Sequence, residues 1–337
     1  MNSQFIECVP NFSEGRNIET INAIAESIRS VDGVRVLHID RGEAANRTVI
    51  TFVGTAQDVV EAAFLMVKCA SELIDMREHQ GEHPRIGATD VLPLVPLKNI
   101  TLAECAELAR TLAERIYTEL GIPTYCYEAA AYLPEHANLA DCRRGEYEGL
   151  RDKMLDPVMH PDFGGMEYTA QAARSGASVV GARNFLIAVN FNLNTSSREV
   201  AAAIAVRVRA SGEVCRDAEG RAVRRPGLLR GCKAIGWYIE EYGCAQVSMN
   251  INDVSLCPIH VAYETVCRVA RELGAEVTGT ELIGLIPEDC MVEAGQYFAT
   301  KQGMLLRERA ELVAHAVEAM RMDDLCPFDV QQKVLVV

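Results

Sequence analysis

The sequence is poor in the signals that mark secreted, membrane-spanning or nucleic-acid-binding chains. No two of its 12 cysteines stand at C-x-x-C spacing, so neither a zinc ribbon nor a dithiol redox motif is written on them. Most fall inside apolar periodic stretches, where a free cysteine acts as a small hydrophobe. The opening residues, MNSQFIECVPNF, lack the basic segment and apolar run of a signal peptide. No apolar run approaches the ~18 residues that suggest a membrane span. Basic charge is in deficit. The balance of 33 Lys+Arg against 47 Asp+Glu leaves −14, which argues against a general nucleic-acid or anionic-membrane surface. Neither G-x-G-x-x-G nor G-x-x-x-x-G-K-[ST] occurs, so the Rossmann and P-loop nucleotide sites are not encoded. These absences predict a reduced, cytoplasmic, soluble protein with mostly structural cysteines.

What is present is an α/β pattern written twice. The 337 residues suggest about two domains. In the first half, strands are expected at 4–9, 34–40, 47–54, near 91–97 and at 123–128. Helices are expected over 16–30, 56–75 and 101–120. In the second half, 184–192 reads as a strand and Ser196 or Ser197 as the cap of a helix. Residues 232–243 and 244–251 read as two strands, 258–273 as a helix and 275–284 as a region with a strand. Both halves thus read βαββαβ. The expected domains are 1–180 and 181–337, with the boundary in the Gly- and Ala-rich stretch 176–183. The basic, turn-rich segment 212–231 is expected to be an exposed loop.

Three places carry chemistry-bearing residues. The loop from Asp75 to Asp90 gathers His79, Glu82, His83, Arg77, Arg85 and Asp90. His79 to His83 fits H-x-x-E-H, but Gly81 and Pro84 oppose the continuous helix that a zinc site of that type needs. The other readings are a solvated surface loop, or a catalytic loop with one imidazole as general acid/base. His83 is the better candidate, because Pro84 restricts its backbone. The second place is the loop with Gly164, Gly165 and Gly176, where backbone amides can approach a ligand. The third is ECVPNFSEGRN at 7–17. There Asn11 and Ser13 either bind a carboxylate near the helix start, or Ser13 merely caps the helix. Arg47 can face the same ligand.

Together these stretches resemble the formiminotransferase domain family. The resemblance runs through ECVPNFSEGRN (7–17), NRTVITFVG (46–54), SELIDMREHQGEHPRIGATDVLPLVP (71–96), PDFG (161–164), GARNFLIAVN (181–190), IGWYIEE (235–241) and DDLCPF (323–328). It implies an α/β (α+β sandwich) fold of two βαββαβ-like subdomains, each a mixed sheet with helices on one face. It implies a homodimer, with folate in the cleft between subdomains. The activity it implies is transfer of the formimino group from N-formimino-L-glutamate to nitrogen 5 of tetrahydrofolate, in histidine degradation. The alternatives are a glutamate N-formyltransferase and a non-catalytic folate-binding relative. The family's catalytic histidine maps onto His83, and its folate-contacting segment onto Gly164 onward. The segment GMEYTAQAARSGASVVGAR (165–183) departs from the family's usual version, which leaves formimino or formyl donor open. Asp40 and Glu82 are candidate carboxylates for the cationic adduct. Arg47 and Arg85 are candidate partners of the donor's carboxylates. Arg143, Arg144, Arg174 and Arg183 are candidate contacts for a polyglutamyl folate tail. No metal is called for, since the amidinium is already electrophilic. A separate cyclodeaminase is a candidate partner; nucleic acid and membrane are not.

Overall fold

A computed structural model describes residues 3–43, 45–81, 83–216, 220–240, 242–325 and 327–336. The candidate Glu82 and the Cys326 of DDLCPF lie outside the described residues. The chain divides into two compact units, Met1–Asn184 and Phe185–Val337.

The first unit runs β1 (Phe5–Cys8), β2 (Asn11–Phe12), α1 (Ile18–Arg29), β3 (Arg35–Gly42), β4 (Arg47–Thr55), α2 (Ala56–Leu73), β5 (Thr89–Lys98), α3 (Leu102–Leu120) and β6 (Thr124–Glu128). Three short helices follow, α4 (Leu139–Cys142), α5 (Leu150–Met154) and α6 (Ala170–Ser175), and then β7 (Ser178–Ala182). Pro10 has no N–H for a ladder, so it splits one strand path into β1 and β2. Both pieces lie antiparallel between β4 and β5. The lateral order is β3-β4-β1/β2-β5-β7-β6, and β5, β7 and β6 run parallel.

Strand alternation sorts the side chains of this sheet. Ile6, Cys8, Phe12, Ile50, Phe52, Leu92 and Leu94 join the core under α1, α2 and α3. Glu7, Asn11, Arg47, Val49 and Val91 therefore occupy the opposite face. Helices were expected on one face only. At the β5-β7-β6 end the other face is also covered, through Val91, Tyr125, Tyr127, Cys142, Leu150, Met154, Ala172 and Val179. The stretch 129–160, irregular in sequence, supplies much of that cover.

The expected boundary at 180/181 falls inside β7, which is buried along its whole length. A Cβ on Gly181 would collide with the Tyr127 ring and carbonyl. The small residues of 176–183 are there for close packing, and composition alone mimicked a linker. Ser13 does not cap α1. Asn17 does, its Oδ1 accepting from the N–H groups of Glu19 and Thr20.

The second unit runs β8 (Ile187–Leu193), α7 (Arg198–Val208), β9 (Glu213–Arg216), β10 (Ala222–Arg225), β11 (Cys232–Ile239), β12 (Cys244–Ile251), α8 (Ile259–Glu272) and β13 (Val277–Ile283). It ends with β14 (Ile286–Pro287), α9 (Glu288–Lys301), α10 (Arg309–Ala319), α11 (Val330–Lys333) and β15 (Val334–Leu335). Ser197 caps α7. The segment expected as a loop holds the antiparallel β9–β10 ladder. The main sheet, β11-β12-β8-β13, is antiparallel throughout, so the expected mixed sheet belongs to the first unit alone. In each βαββαβ set the second, third, first and fourth strands lie side by side, the split-βαβ order. The first unit extends that order with β7 and β6. Among the described residues no helix is long and apolar enough to cross a membrane.

Candidate active site

The segment between α2 and β5 is a pinned loop. Its ends are tied to the chain around α6: Met76 N–H donates to the Arg174 carbonyl (2.8 Å), Ala88 N–H to Ser175 (2.7 Å), and Ala177 N–H to Ile86 (3.1 Å). Ser13 holds it from β2, donating through Oγ to the Gly87 carbonyl (2.8 Å) and through N–H to Ala88 (2.8 Å). Asn46, in the left-handed region at φ 47°, donates through Nδ2 to the Gln80 carbonyl (2.9 Å).

His79 is one of these pins. Its Nε2 lies 2.9 Å from the Asn46 carbonyl, which can only accept, so Nε2 carries the proton. Its Nδ1 accepts from Arg85 Nε at 3.3 Å. Both ring nitrogens are occupied and no lone pair is left for a metal. The H-x-x-E-H reading therefore lacks its first ligand as well as its helix.

His83 is arranged differently. Its Nδ1 lies 2.7 Å from the Pro84 carbonyl, so Nδ1 is the protonated nitrogen and Nε2 presents a lone pair. Its pKa is lowered, first by burial and then by the positive charge of Arg47, with Arg143 acting in the same direction. The imidazole is held neutral near pH 7, the state of a general base.

The charges around it are organised by Asp90, which is fully buried at the start of β5. Asp90 Oδ2 pairs with Arg47 NH1 at 2.6 Å and with Arg143 NH2 at 2.5 Å. Its Oδ1 accepts from the Ile86 N–H at 2.9 Å. Arg47 also donates through Nε to Asn11 Oδ1 at 3.1 Å. Two guanidiniums on one carboxylate leave a surplus positive charge. Arg47 NH1 meets Asp90 as a buried ion pair without a well-aligned hydrogen bond.

Asn11, Arg47 and His83 thus gather around Asp90. Asp40 shares their face, since Asp40, Val49, Asn11 and Val91 form one row across the sheet, but it is exposed and two strands from Asn11, about 10 Å. Arg85 does not join them. Its guanidinium is committed to Glu148 through two 2.7 Å bonds and to Glu146 at 3.2 Å. The cavity of about 550 Å³ beside it is lined by Gln80, Gly81, Gly145 and those two glutamates, a poor match for a dicarboxylate.

Gly164 and Gly165 adopt φ 136° and 62° beside the start of β6; a Cβ on Gly164 would meet Pro123, whereas Gly165 opens onto free space. Gly176, at φ 67°, lies against Ile86 and Gly87 and packs under the loop rather than opening to a ligand. The four arginines expected as a basic track do not form one. Arg143 is on Asp90, Arg144 on Asp141, Arg174 on Asp75 and the α2 carbonyls, and Arg183 beside Glu7.

Sequence reasoning placed Asp90 in the loop without a role and Arg143 only on a folate tail, and so missed their pairing. An acid opening the apolar run TDVLPLVP was a usable signal. Arg143, brought in from 53 positions away, had none.

The comparisons with known proteins fall on the whole of this frame. The sequence model of the formiminotransferase domain, N-terminal subdomain, matches residues 5–183, and that of the formiminotransferase domain matches 188–336. Glutamate formimidoyltransferase of Streptococcus pyogenes serotype M1 is 42% identical over 296 residues, 88% of this chain and 93% of that protein. Its namesake from Thermoplasma acidophilum is 38% identical over 316 residues, 92% and 98% of the two chains. Formimidoyltransferase-cyclodeaminase of Rattus norvegicus is 40% identical over 333 residues, 99% of this chain, which spans 59% of that longer relative. The two halves of the sequence and the loop that holds His83 therefore have one source: the chain belongs to the formiminotransferase domain family.

Proposed function

We propose that the chain transfers the formimino group of N-formimino-L-glutamate to nitrogen 5 of tetrahydrofolate, giving 5-formimino-tetrahydrofolate and L-glutamate, a step of histidine degradation. The observation that carries this reading is His83, neutral, with Nε2 free beside the surplus charge of Arg47 and Arg143. The names of the relatives supply the substrates.

The chemistry follows from the groups. The lone pair of nitrogen 5 attacks the formimino carbon and forms a C–N bond. Nitrogen 5 then loses its proton to Nε2 of His83. The tetrahedral adduct collapses when the C–N bond to glutamate breaks, and His83 returns the proton to the departing nitrogen. Glutamate leaves as an amine, which requires that proton. Arg47 and Arg143 attract the donor's carboxylates, a role that Arg85 cannot fill while bound to Glu148. The amidinium carbon is electrophilic without a Lewis acid. Tetrahydrofolate is the co-substrate, mono- or polyglutamylated. Gly164 and Gly165 are its candidate backbone contacts, with Asp40 as a carboxylate for the cationic adduct. The homodimer and cytoplasmic setting rest on the resemblance, and the longer relatives suggest a separate cyclodeaminase as a downstream partner.

The test compares formimino-glutamate and formyl-glutamate as donors with tetrahydrofolate, in the parent and in His83→Ala. The formimino donor is expected to turn over faster. His83→Ala should lose ~10²-fold or more in kcat while its folate Kd holds. A variant within about threefold of the parent would place the base elsewhere.

A further inference from the structure

The second unit's sheet has a polar row that the reaction above does not use. Alternation places Asn190, Asn192, Gln246 and Glu281 opposite the helix-facing Val189, Phe191, Val247 and Leu282. Their hydrogen bonds converge on one carboxylate. Glu281 accepts through Oε2 from Asn190 Nδ2 at 3.0 Å and Gln246 Nε2 at 3.3 Å, and through Oε1 from the Tyr242 hydroxyl at 3.0 Å. Gln246 also donates to Asn192 Oδ1 and accepts from Trp237 Nε1 at 2.9 Å.

Two features separate this row from a closed structural network. The bonds to Glu281 come from neutral donors, and among the described residues no ion pair balances its charge. Asn192, only 1% exposed, has an Nδ2 with no hydrogen-bond partner. A buried orphan donor and an unbalanced carboxylate each cost free energy, and native networks normally close such ends. Gln246 Nε2 bonds to both residues, which ties the carboxylate acceptor and the orphan donor into one row on the same face of the sheet. That row's complement is a planar group with two adjacent N–H donors for the carboxylate and one acceptor for the amide.

We propose that Glu281 and Asn192 recognise the 2-amino-4-oxopyrimidine edge of a pterin, with N3–H and the 2-amino group on Glu281, O4 on Asn192 Nδ2, and Trp237 bordering the ring. The inference rests on the folate-dependent reading and assigns that co-substrate's pterin to specific side chains. The formamidine group of the donor presents the same N–C–N donors without the acceptor, so it is the rival occupant.

The chain contains a single tryptophan, and it is bonded into this row. Its fluorescence therefore reports occupancy without turnover. The parent and Glu281→Gln are titrated with 5-formyl-tetrahydrofolate, with a 2-desamino analogue, and with N-formimino-glutamate alone. The folate should quench saturably. The desamino analogue on the parent, and the folate on Glu281→Gln, should each bind about 10- to 100-fold more weakly. Combining variant and analogue should add little further loss, as expected for two cuts in one interaction. Equal affinity of the parent for folate and analogue overturns the proposal, and this comparison needs no variant to fold. Quenching by the donor alone, with none by folate, overturns the pterin assignment in favour of the formamidine. A parent that turns over while Glu281→Gln binds folate unchanged overturns this inference and leaves the reaction standing. A parent that binds folate through Glu281 without turnover does the reverse.

Discussion

His83 owes its chemistry to neighbours as much as to its own ring. Burial and the two guanidiniums disfavour its protonated form, so its pKa lies below the ordinary 6.5. With His83 as the base proposed above, the active form is the neutral one, so kcat/KM should rise with pH through that lowered pKa and stay level above it. Arg143→Gln removes one positive charge and leaves the attraction of Asp90 for a proton on His83. The pKa should rise, and the acid limb of the profile should move to higher pH. A limb that moved to lower pH, or stayed put while KM for the donor was unchanged, would detach Arg143 from this site. The sequence singled out His83 as a candidate through Pro84 and the surrounding charged loop. Its tautomer was not, because that depends on a carbonyl distance. Arg85 looked equivalent to Arg47 in the sequence. They differ because Glu148 claims one and Asp90 shares the other.

At the scale of elements, the loop that holds His83 is pinned where glycines let two backbones touch. Gly176 and Gly87 face each other across an isolated bridge, and a Cβ on either would run into the opposing backbone. Gly176 also sits at φ 67°, where an L side chain is strained. Gly176→Ala should therefore push the 86–88 segment off α6. It should lower kcat by more than tenfold and destabilise the fold by about 1–3 kcal/mol. A stopped assay with a thermal melt checks both. Unchanged kcat would mean that the loop position does not set His83. The periodicities made most long helices and main strands legible, and of the two serines expected as a cap for α7, Ser197 is the one that serves. The misreadings were at short range. Ser13 lost the cap to Asn17 because α1 begins at Ile18, which puts Ser13 four residues short of the cap position. The Gly/Ala run before Arg183 hid a strand, because small residues serve a crowded sheet as well as a linker. The loop expected at 212–231 hid a ladder whose strands are mostly exposed, so no hydrophobic alternation announced it.

For the whole molecule, the clearest titratable liability lies away from His83. Glu7 is buried in β1, in register with Val53 and Val95, with Arg183 as its nearest compensating charge. Burial raises its pKa from 4.5 to about 7, and Arg183 offsets part of that rise. The sign follows from linkage. A carboxyl with a folded pKa above its unfolded one stabilises the native state fully below 4.5, and that stability is lost as pH rises through about 7. At pH 8 the folded protein must hold an ionised Glu7 that the unfolded chain solvates freely. The shift corresponds to about 3 kcal/mol. Glu7→Gln cannot ionise, so it should be more stable than the parent at pH 8, with the advantage fading toward pH 5. Denaturant melts of both proteins at the two pH values measure this directly. A stability difference independent of pH would show that Glu7 titrates normally and that Arg183 fully compensates its burial.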